Sequence, residues 1–236
     1  FGKQESQGGR KPNVYGLNPD SGCFLGVDIK RFRIILAFIN FKGQVIVPPK
    51  SFPFNYENTT ESFEQLCKII NTFIDKSKVP RSKILSAGIN ISGRVNTETG
   101  HSYSMYFFNE QPLTEVFHEK LGLHCTIDND SRSMAYGEFM EGVVHNEQNV
   151  LYINCSWGLG LGIIINGQLY YGKSGFSGEF GHMPVFDNDV LCHCGKRGCL
   201  ETQTSGSYVY RKFLEKMSDG YATILNEKRT NNEPIT

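Results

Sequence analysis

The spacing of apolar residues predicts a chain in which short strands alternate with amphipathic helices. A meander of three strands is predicted at residues 23–29, 32–39 and 44–47, because these apolar runs are separated by short turns. Between residues 61 and 76 the apolar period lengthens to that of a helix, and Thr60 is its expected cap. This change of period indicates a chain of the α/β class.

The same order of elements is predicted twice along the chain. The first half continues with strands at 84–91 and 124–128 and helices at 113–121 and 131–143. The second half has predicted strands at 149–154, 163–165 and 169–171 and a helix at 205–217. The result is two βββαβα-like halves with a break near residue 145. We therefore predict a polar linker over 1–22, an N-terminal lobe over 23–145 and a C-terminal lobe over 146–236.

Composition places the chain among soluble globular proteins of a reducing compartment. Hydrophobic residues make up 39% and charged residues 20%, and the formal net charge is zero. The body of the protein therefore has no general attraction to nucleic acid. No apolar run approaches the ~20 residues that span a bilayer. The seven cysteines are an odd number, and four of them lie in apolar surroundings, which favours a cytoplasmic protein over a disulfide framework.

A histidine and three cysteines are spaced as the ligands of one divalent metal. They lie in Gly178-Glu-Phe-Gly-His182 and in Cys192-His-Cys-Gly-Lys-Arg-Gly-Cys199. Structural zinc takes four nitrogen or sulfur ligands in a tetrahedron. Gly195 and Gly198 tolerate positive φ, so the chain can turn back on itself. The alternative is a loop of reduced thiols, but free cysteine prefers apolar burial and this segment is polar. The predicted zinc ligands are His182, Cys192, Cys194 and Cys199.

Polar residues also mark the predicted junction between strand 124–128 and the helix after it. Ligands of open α/β sheets bind at the carboxyl ends of strands. Asn129 could hydrogen-bond to sugar hydroxyls, and Asp130 could accept a proton from one of them. Helix capping is the alternative for these residue types, and it is compatible with ligand binding.

A glycine-rich segment, Gly158-Leu-Gly-Leu-Gly162, precedes the predicted strand 163–165. Backbone N–H groups in such a segment can cradle a phosphate. The spacing matches neither the P-loop nor the dinucleotide-binding fingerprint. A tight β-turn is the alternative interpretation, and it is at least as well supported.

Together these elements resemble the ROK family, named for repressors, open reading frames and kinases, over roughly residues 8–217. The most specific part of the resemblance is Glu179-Phe-Gly-His182 with the cysteine motif and Glu201. The resemblance implies a two-lobed α/β fold of the actin-like ATPase (ribonuclease H-like) type, with zinc on the four ligands named above. It further implies that one ring nitrogen of His182 contacts zinc and the other a sugar. The implied sugar-binding residues are Asn129, Asp130, Glu179, His182 and Glu201.

The two functional classes of the family differ at the phosphate motif. ROK kinases begin with Asp-x-Gly-Gly-Thr, whose glycines let the backbone approach ATP, whereas this chain reads Asp28-Ile-Lys-Arg-Phe32. Lys30 and Arg31 replace both glycines, so the cradle for phosphate is lost and ATP is not an expected cofactor. Ser156-Trp157 stands where kinases usually have a Gly-Thr pair, and the indole would crowd the site. Asp130 remains as a base, but a base without positioned ATP transfers no phosphoryl group.

The linker favours the repressor branch, which includes N-acetylglucosamine and xylose repressors. Gly8-Gly-Arg-Lys-Pro12 and the stretch from Leu17 to Asp28 resemble the junction that follows a winged helix-turn-helix domain in ROK repressors. The chain is then the effector-binding part of a cytoplasmic transcriptional regulator whose DNA-binding domain lies upstream of Phe1. The implied partners are a sugar or sugar phosphate, operator DNA through that domain, and further copies in a homodimer or homotetramer, with no membrane. The rivals are an ATP-dependent sugar kinase using Asp130 and a zinc-stapled scaffold without a ligand.

One departure from the family bears on the ligand. Sugar-binding members usually carry a Pro-Asn pair ahead of the helix that begins at Pro112-Leu113. The matching positions here are Ser104-Met105. A hydrogen bond to the sugar is therefore expected to be missing at this position.

Overall fold

The computed structural model describes residues 13, 15–107 and 110–231, in two compact units divided between Asp130 and Ser131. Residues 1–12 and 14 of the predicted linker lie outside the described residues, and its described part contains a 3-10 turn at Pro19–Ser21. Across the described ranges, no helix combines the length and the apolar character that crossing a bilayer requires.

Unit 1 is built on a mixed five-stranded sheet. Its strands, in spatial order, are β3 (Val45–Pro53), β2 (Arg33–Asn40), β1 (Cys23–Ile29), β4 (Ile84–Ile91) and β7 (Cys125–Asn129). Strand β2 is antiparallel to both β1 and β3, and β4 runs parallel to β1 and β7. A separate two-stranded ladder joins β5 and β6. The elements in chain order are β1 (Cys23–Ile29), β2 (Arg33–Asn40), β3 (Val45–Pro53), α1 (Thr60–Lys76), β4 (Ile84–Ile91), β5 (Val95–Asn96), β6 (His101–Ser102), α2 (Leu113–Leu121) and β7 (Cys125–Asn129).

The core of unit 1 forms where the apolar face of α1 meets the sheet. Phe73 of α1 stacks on Phe38 of β2 with ring centroids 5.6 Å apart, and Phe63 is fully buried. Burying a side chain of this size contributes about 1.5–3 kcal/mol. The helix was predicted correctly, but the predicted cap was wrong by one residue. Thr59, not Thr60, accepts a hydrogen bond from the Ser62 N–H, at 3.2 Å.

Strand β3 is longer than its apolar pattern predicts, since it continues through two prolines to Pro53. It lies at the edge of the sheet, beside β2 only. The pairing with β2 is also irregular between Val47 and Lys50, and proline is tolerated at an edge and at such an irregularity because no ladder N–H is needed there. The edge position therefore explains a strand that the sequence pattern ends at residue 47.

Unit 2 contains a three-stranded antiparallel sheet of order β10-β9-β8. A 3-10 turn at Glu179–His182 follows the sheet in sequence and packs on β9. Its elements in chain order are α3 (Asp130–Glu141), β8 (Val150–Cys155), β9 (Leu159–Ile165), β10 (Gln168–Leu169), α4 (Glu201–Thr204), α5 (Gly206–Ser218) and α6 (Asn226–Thr230).

The glycine-rich segment 158–162 is a strand over most of its length and not a tight β-turn, because β9 begins at Leu159. A Cβ at Gly160 would overlap the Ser131 side chain, and a Cβ at Gly162 would overlap the Ala135 side chain. The glycines therefore let α3 approach β9 closely. This packing places nearly all of α3 in unit 2, whereas the sequence pattern placed the boundary at residue 145.

Candidate metal centre and adjoining carboxylates

The three motif cysteines lie on a tight turn closed by its own backbone. The Cys192 N–H donates to the Lys196 carbonyl at 2.8 Å, and the Gly195 N–H donates to the Cys192 carbonyl at 2.9 Å. Gly195 and Gly198 have φ values of 87° and 68°, as the sequence predicts. Gly198 also has no room for a Cβ beside the Phe186 carbonyl. The turn thereby folds the last motif cysteine back towards the first two.

The side chains of the four predicted ligands form one cluster, with ligand atoms all within 4.8 Å of one another. Cys194 Sγ lies 3.7 Å from Cys199 Sγ, and Cys192 Sγ lies 3.5 Å from His182 Nδ1. Tetrahedral zinc with bonds of about 2.3 Å to sulfur and about 2.0 Å to nitrogen separates two sulfurs by about 3.8 Å, and sulfur from nitrogen by about 3.5 Å. The cluster therefore fits a tetrahedral divalent metal.

Ionising all three clustered cysteines is unfavourable unless a cation binds at the same place. Burial raises the pKa of the Cys192 thiol to about 12. Burial also acts to raise the pKa of Cys194, but hydrogen bonds from the Lys196 N–H and from the thiols of Cys192 and Cys199 outweigh it and leave that pKa lowered. Several thiolates at this spacing would repel one another, and a divalent metal would remove the repulsion by coordinating them.

His182 and Glu179 are the ends of the 3-10 turn Glu179–His182, in which residues three apart lie on the same side. His182 Nε2 is 3.8 Å from Glu179 Oε2, while Nδ1 faces the thiols. The turn can rest on β9 because Cβ atoms at Gly178 and Gly181 would overlap the carbonyls of that strand. The imidazole thus presents one nitrogen to the metal cluster and the other to a carboxylate.

Glu201, the first residue of α4, is only 9% exposed and uses both carboxylate oxygens. Oε2 accepts a hydrogen bond from the Leu159 N–H at 2.8 Å, and Oε1 lies 3.1 Å from His193 Nδ1. Burial opposes ionisation of this carboxyl, but the two hydrogen bonds prevail and its pKa is lowered. The same hydrogen bond to Glu201 raises the pKa of His193 against the effect of burial.

His193 belongs to this group although the sequence analysis did not single it out. Its ring lies 5.0 Å from that of His182, edge to face, and it forms a second cluster of possible ligands with His182 and Glu201. Its position between two motif cysteines was the only signal in the sequence. Within unit 2, the structure therefore brings Glu179, His182, His193 and Glu201 together.

The other two predicted sugar-binding residues lie in unit 1, where β7 ends. Asn129 Nδ2 donates to the Gly93 carbonyl at 2.9 Å, and Ser92 Oγ donates to Asp130 Oδ2 at 2.7 Å. Both residues thereby contact the segment that follows β4, the parallel neighbour of β7. They stand at the carboxyl ends of parallel strands, as the sequence analysis expects.

The stretch that matches the kinase phosphate motif is a tight turn between β1 and β2. The Lys30 N–H donates to the Arg33 carbonyl at 2.9 Å, and Lys30 Nζ lies 3.2 Å from Asp28 Oδ2. The Arg31 guanidinium lies over the Phe32 ring, 5.5 Å from its centroid. Asp28 Oδ1 is buried, with no hydrogen-bond partner among the described residues. Burial outweighs the attraction of Lys30 and raises the pKa of Asp28.

The chain also departs from the family pattern at Ser104-Met105 and at Trp157, and each position makes contacts within its own unit. Met105 is buried in the core of unit 1, and Ser104 Oγ accepts a hydrogen bond from the Arg94 N–H at 2.9 Å. The Trp157 carbonyl accepts from the Ser207 N–H at 3.0 Å, so the β8–β9 turn is tied to the start of α5. Neither Ser104 nor Met105 supplies the side-chain amide that sugar-binding members carry.

Arg132 is a second residue that the sequence analysis missed. It is 1% exposed, donates to the Gly175 carbonyl at 2.7 Å, and places its guanidinium 5.2 Å from the Tyr171 ring centroid. These contacts join α3 to the loop that precedes Glu179. A charged residue among polar neighbours in a helix gives no sign in the sequence that it is buried.

Comparison with known proteins places this geometry in context. The model of the ROK family matches residues 24–234. The xylose repressor of Bacillus subtilis is 29% identical over 229 residues, which are 96% of this chain and 59% of that protein. A crystal structure of a ROK family transcriptional regulator, a homolog of the E. coli MLC protein, has a TM-score of 0.71 and 26% identity, covering 88% of this chain and 53% of that one.

Sugar kinases of the ROK family are also similar to this chain. A ROK family glucokinase from Streptomyces griseus, solved with glucose and AMPPNP, has a TM-score of 0.71 and 26% identity over 84% of this chain and 62% of its own. The chain thus spans between about half and three fifths of the length of the relatives named here. Regulators and kinases share the fold.

Proposed function

Because this chain belongs to the ROK family, we propose that it is the effector-binding part of a ROK-type transcriptional regulator and not a sugar kinase. It has the α/β actin-like ATPase fold of the solved family members. The similarity to the xylose repressor and to the MLC homolog supports the regulator. Since those proteins are much longer than the matched region, activity and partners of the whole protein remain part of the proposal.

The observation that carries the proposal is the turn between β1 and β2. A kinase needs open backbone N–H groups there to position the phosphates of ATP. In this chain the ammonium of Lys30 lies against Asp28, and Arg31 lies over Phe32. Large side chains thus occupy the turn that glycines would leave open. This arrangement supports a chain that senses a ligand without phosphorylating it.

We assign zinc to the cluster of His182, Cys192, Cys194 and Cys199, in a structural role. Zinc would supply a tetrahedral cross-link between the 3-10 turn and the cysteine turn, which have few apolar contacts. It would also fix the orientation of the His182 ring, so that Nε2 keeps its direction towards Glu179.

We assign the effector as a sugar or sugar phosphate. The proposed contacts within unit 2 are Glu179, His182 and Glu201. For unit 1, the family resemblance implies Asn129 and Asp130 as sugar-binding residues. A carboxylate can accept a hydrogen bond from a hydroxyl, and an imidazole can accept or donate one; a sugar offers hydroxyls in neighbouring pairs. Operator DNA would be bound through an upstream domain in a cytoplasmic homodimer or homotetramer, and the sugar would shift the equilibrium between arrangements of that assembly.

Titration calorimetry of the 236-residue chain tests the effector assignment. The panel is D-xylose, D-glucose and N-acetyl-D-glucosamine. Glu179→Ala should weaken binding of the preferred sugar about tenfold or more, because a buried sugar hydroxyl left unpaired costs ~1–3 kcal/mol. Zinc content should stay at one ion per chain, since Glu179 is not among the four ligands.

The matched control is Glu215→Ala, which removes an exposed carboxylate of α5 that pairs with Lys212. This variant should bind sugar like the wild type. Equal sugar affinity in Glu179→Ala and wild type would show that the ligand is bound elsewhere. Failure of the wild type to bind any sugar would overturn the effector assignment.

A further inference from the structure

His193 holds an unusual position in the candidate site. It stands between two of the zinc-ligand cysteines, yet its side chain is 72% exposed. Its Nδ1 is 3.1 Å from Glu201 Oε1, and its ring meets the ring of His182 at 5.0 Å. Glu179 follows at the far side of His182, 3.8 Å from Nε2. The four side chains therefore form one series of neighbouring polar groups within unit 2.

The geometry argues against a role for His193 in the metal cluster. Its nearest nitrogen is 3.9 Å from Cys192 Sγ, farther than the 3.5 Å between that sulfur and His182 Nδ1. The same nitrogen is already engaged by Glu201. The other four residues already supply four ligand atoms within 4.8 Å of one another, and structural zinc sites hold four ligands. His193 thus remains outside the cluster, although it is adjacent to two ligands in sequence.

The hydrogen bond to Glu201 decides what the ring of His193 can offer to a ligand. A carboxylate accepts hydrogen bonds, so Nδ1 must carry the proton that it shares with Glu201. This leaves Nε2 as the second polar atom of an exposed ring. Glu201 is in turn held by the Leu159 N–H of β9. The ring is therefore oriented through Glu201 by a strand, not by a mobile surface contact.

We propose that His193 is a ligand-binding residue whose Nε2 forms a hydrogen bond with a hydroxyl of the bound sugar. The inference rests on the proposed function, and it extends the sugar contacts of unit 2 beyond Glu179, His182 and Glu201. A sugar with vicinal hydroxyls fits, because one hydroxyl can donate to Glu201 while its neighbour meets Nε2. Two carboxylates in the group favour a neutral, hydroxylated part of the ligand over a phosphate at this position.

Two amide substitutions distinguish the role of Nδ1 of His193 from the role of Nε2. The amide of His193→Asn replaces Nδ1 and can still donate to Glu201, but it has nothing in place of Nε2. The amide of His193→Gln reaches the position of Nε2 instead. Sugar affinity of the 236-residue chain is measured by calorimetry with D-xylose, D-glucose and N-acetyl-D-glucosamine, and zinc content by elemental analysis.

The proposal expects His193→Asn to weaken sugar binding about tenfold, with one zinc per chain retained. His193→Gln should lose less affinity than His193→Asn. If His193→Asn binds sugar as tightly as the wild type, direct contact of Nε2 with the sugar is refuted, whatever the affinity of His193→Gln. His193 would then be a residue that only positions Glu201. Loss of zinc in both variants would overturn the proposal in favour of metal ligation.

The same titrations distinguish failure of this inference from failure of the proposed function. A wild-type chain that binds one of the sugars, together with an unaffected His193→Asn variant, refutes only the role of His193. A wild-type chain that binds none of them overturns the effector assignment, and with it the hydroxyl that Nε2 would contact.

Discussion

Several side chains in the candidate site each contact two different groups. His182 directs one nitrogen to the thiol cluster and the other to Glu179. Glu201 joins the start of β9 to His193. Because each side chain is held from two sides, its orientation is set before a ligand arrives. Such preorganisation lowers the cost of ordering side chains on binding.

The metal assignment is tested by removing one thiolate. Cys194→Ser should lose the bound zinc, because a hydroxyl is a much poorer ligand than a thiolate and the tetrahedron would lack its fourth position. Elemental analysis of the purified chain measures the stoichiometry. Cys155→Ser is the matched control, since Cys155 is also exposed but lies outside the cluster, and it should keep one zinc. Folded wild-type protein without metal would contradict the assignment.

The buried carboxyl of Asp28 yields a prediction about pH. Its folded-state pKa is raised, mainly by burial, so folding favours the protonated carboxyl more than the unfolded chain does. Stability from this group is therefore fully present below the ordinary pKa of an aspartate and is lost as pH rises through the folded pKa. An asparagine at this position does not ionise, so Asp28→Asn does not lose stability in this way. The thermal midpoint of Asp28→Asn minus that of the wild type should therefore increase from acidic to neutral pH.

Thermal unfolding of both proteins across that pH range measures the difference. Asp75→Asn, an exposed carboxyl paired with Arg81, is the control and should show little dependence of this kind. A constant difference between Asp28→Asn and wild type at all pH values would show that Asp28 is not the titrating group.

At the scale of elements, glycine decides how closely helix and strand approach. Gly160 and Gly162 of β9 face Ser131 and Ala135 of α3 with no room for a Cβ. The same strand supports the 3-10 turn, where a Cβ at Gly178 or Gly181 would overlap a backbone carbonyl of β9. One strand therefore positions both α3 and the turn that carries His182.

Adding a methyl group at this contact should be costly. Gly162→Ala should lower the free energy of unfolding by about 1–3 kcal/mol, because α3 must shift away from β9. Gly137→Ala is the matched control within α3, where an added Cβ meets no atom within 4 Å. That variant should gain about 0.5–1 kcal/mol from the better helix propensity of alanine. Urea unfolding measures both, and equal stabilities in the two variants would contradict the packing described.

At the scale of the whole molecule, each of the two units contains an antiparallel meander of three strands. In unit 1 the meander is β1–β3, and parallel strands β4 and β7 extend it. In unit 2 it is β8–β10. The family includes both regulators and kinases on this fold, so function must be argued from the site and not from the fold.

The proposed loss of kinase activity has a direct assay. The chain with Mg²⁺, ATP and each of the three sugars should release no ADP above the sugar-free background, because side chains fill the turn at Lys30 to Phe32. The Streptomyces griseus glucokinase with D-glucose serves as the positive control. Sugar-dependent turnover near ~1 s⁻¹, the low end for kinases, would restore the kinase as the better assignment.

Local patterns in the sequence were sufficient for most elements and for the metal cluster. Apolar periodicity predicts β1, α1, β4 and α2 because it depends only on neighbouring residues. The cysteine spacing predicts the cluster because the ligands lie close together along the chain, with glycines at the turns. The family resemblance rests on the same short motifs.

Contacts between residues that are distant in the sequence could be known only from the tertiary structure. Strand β9 includes a glycine-rich segment that resembles a loop, because its pairing with β8 and the approach of α3 outweigh the low strand propensity of glycine. The contact of His193 with Glu201 and the burial of Arg132 likewise depend on which surfaces meet after folding. A sequence pattern reports the environment of neighbours in the chain, whereas these contacts are set by packing between elements.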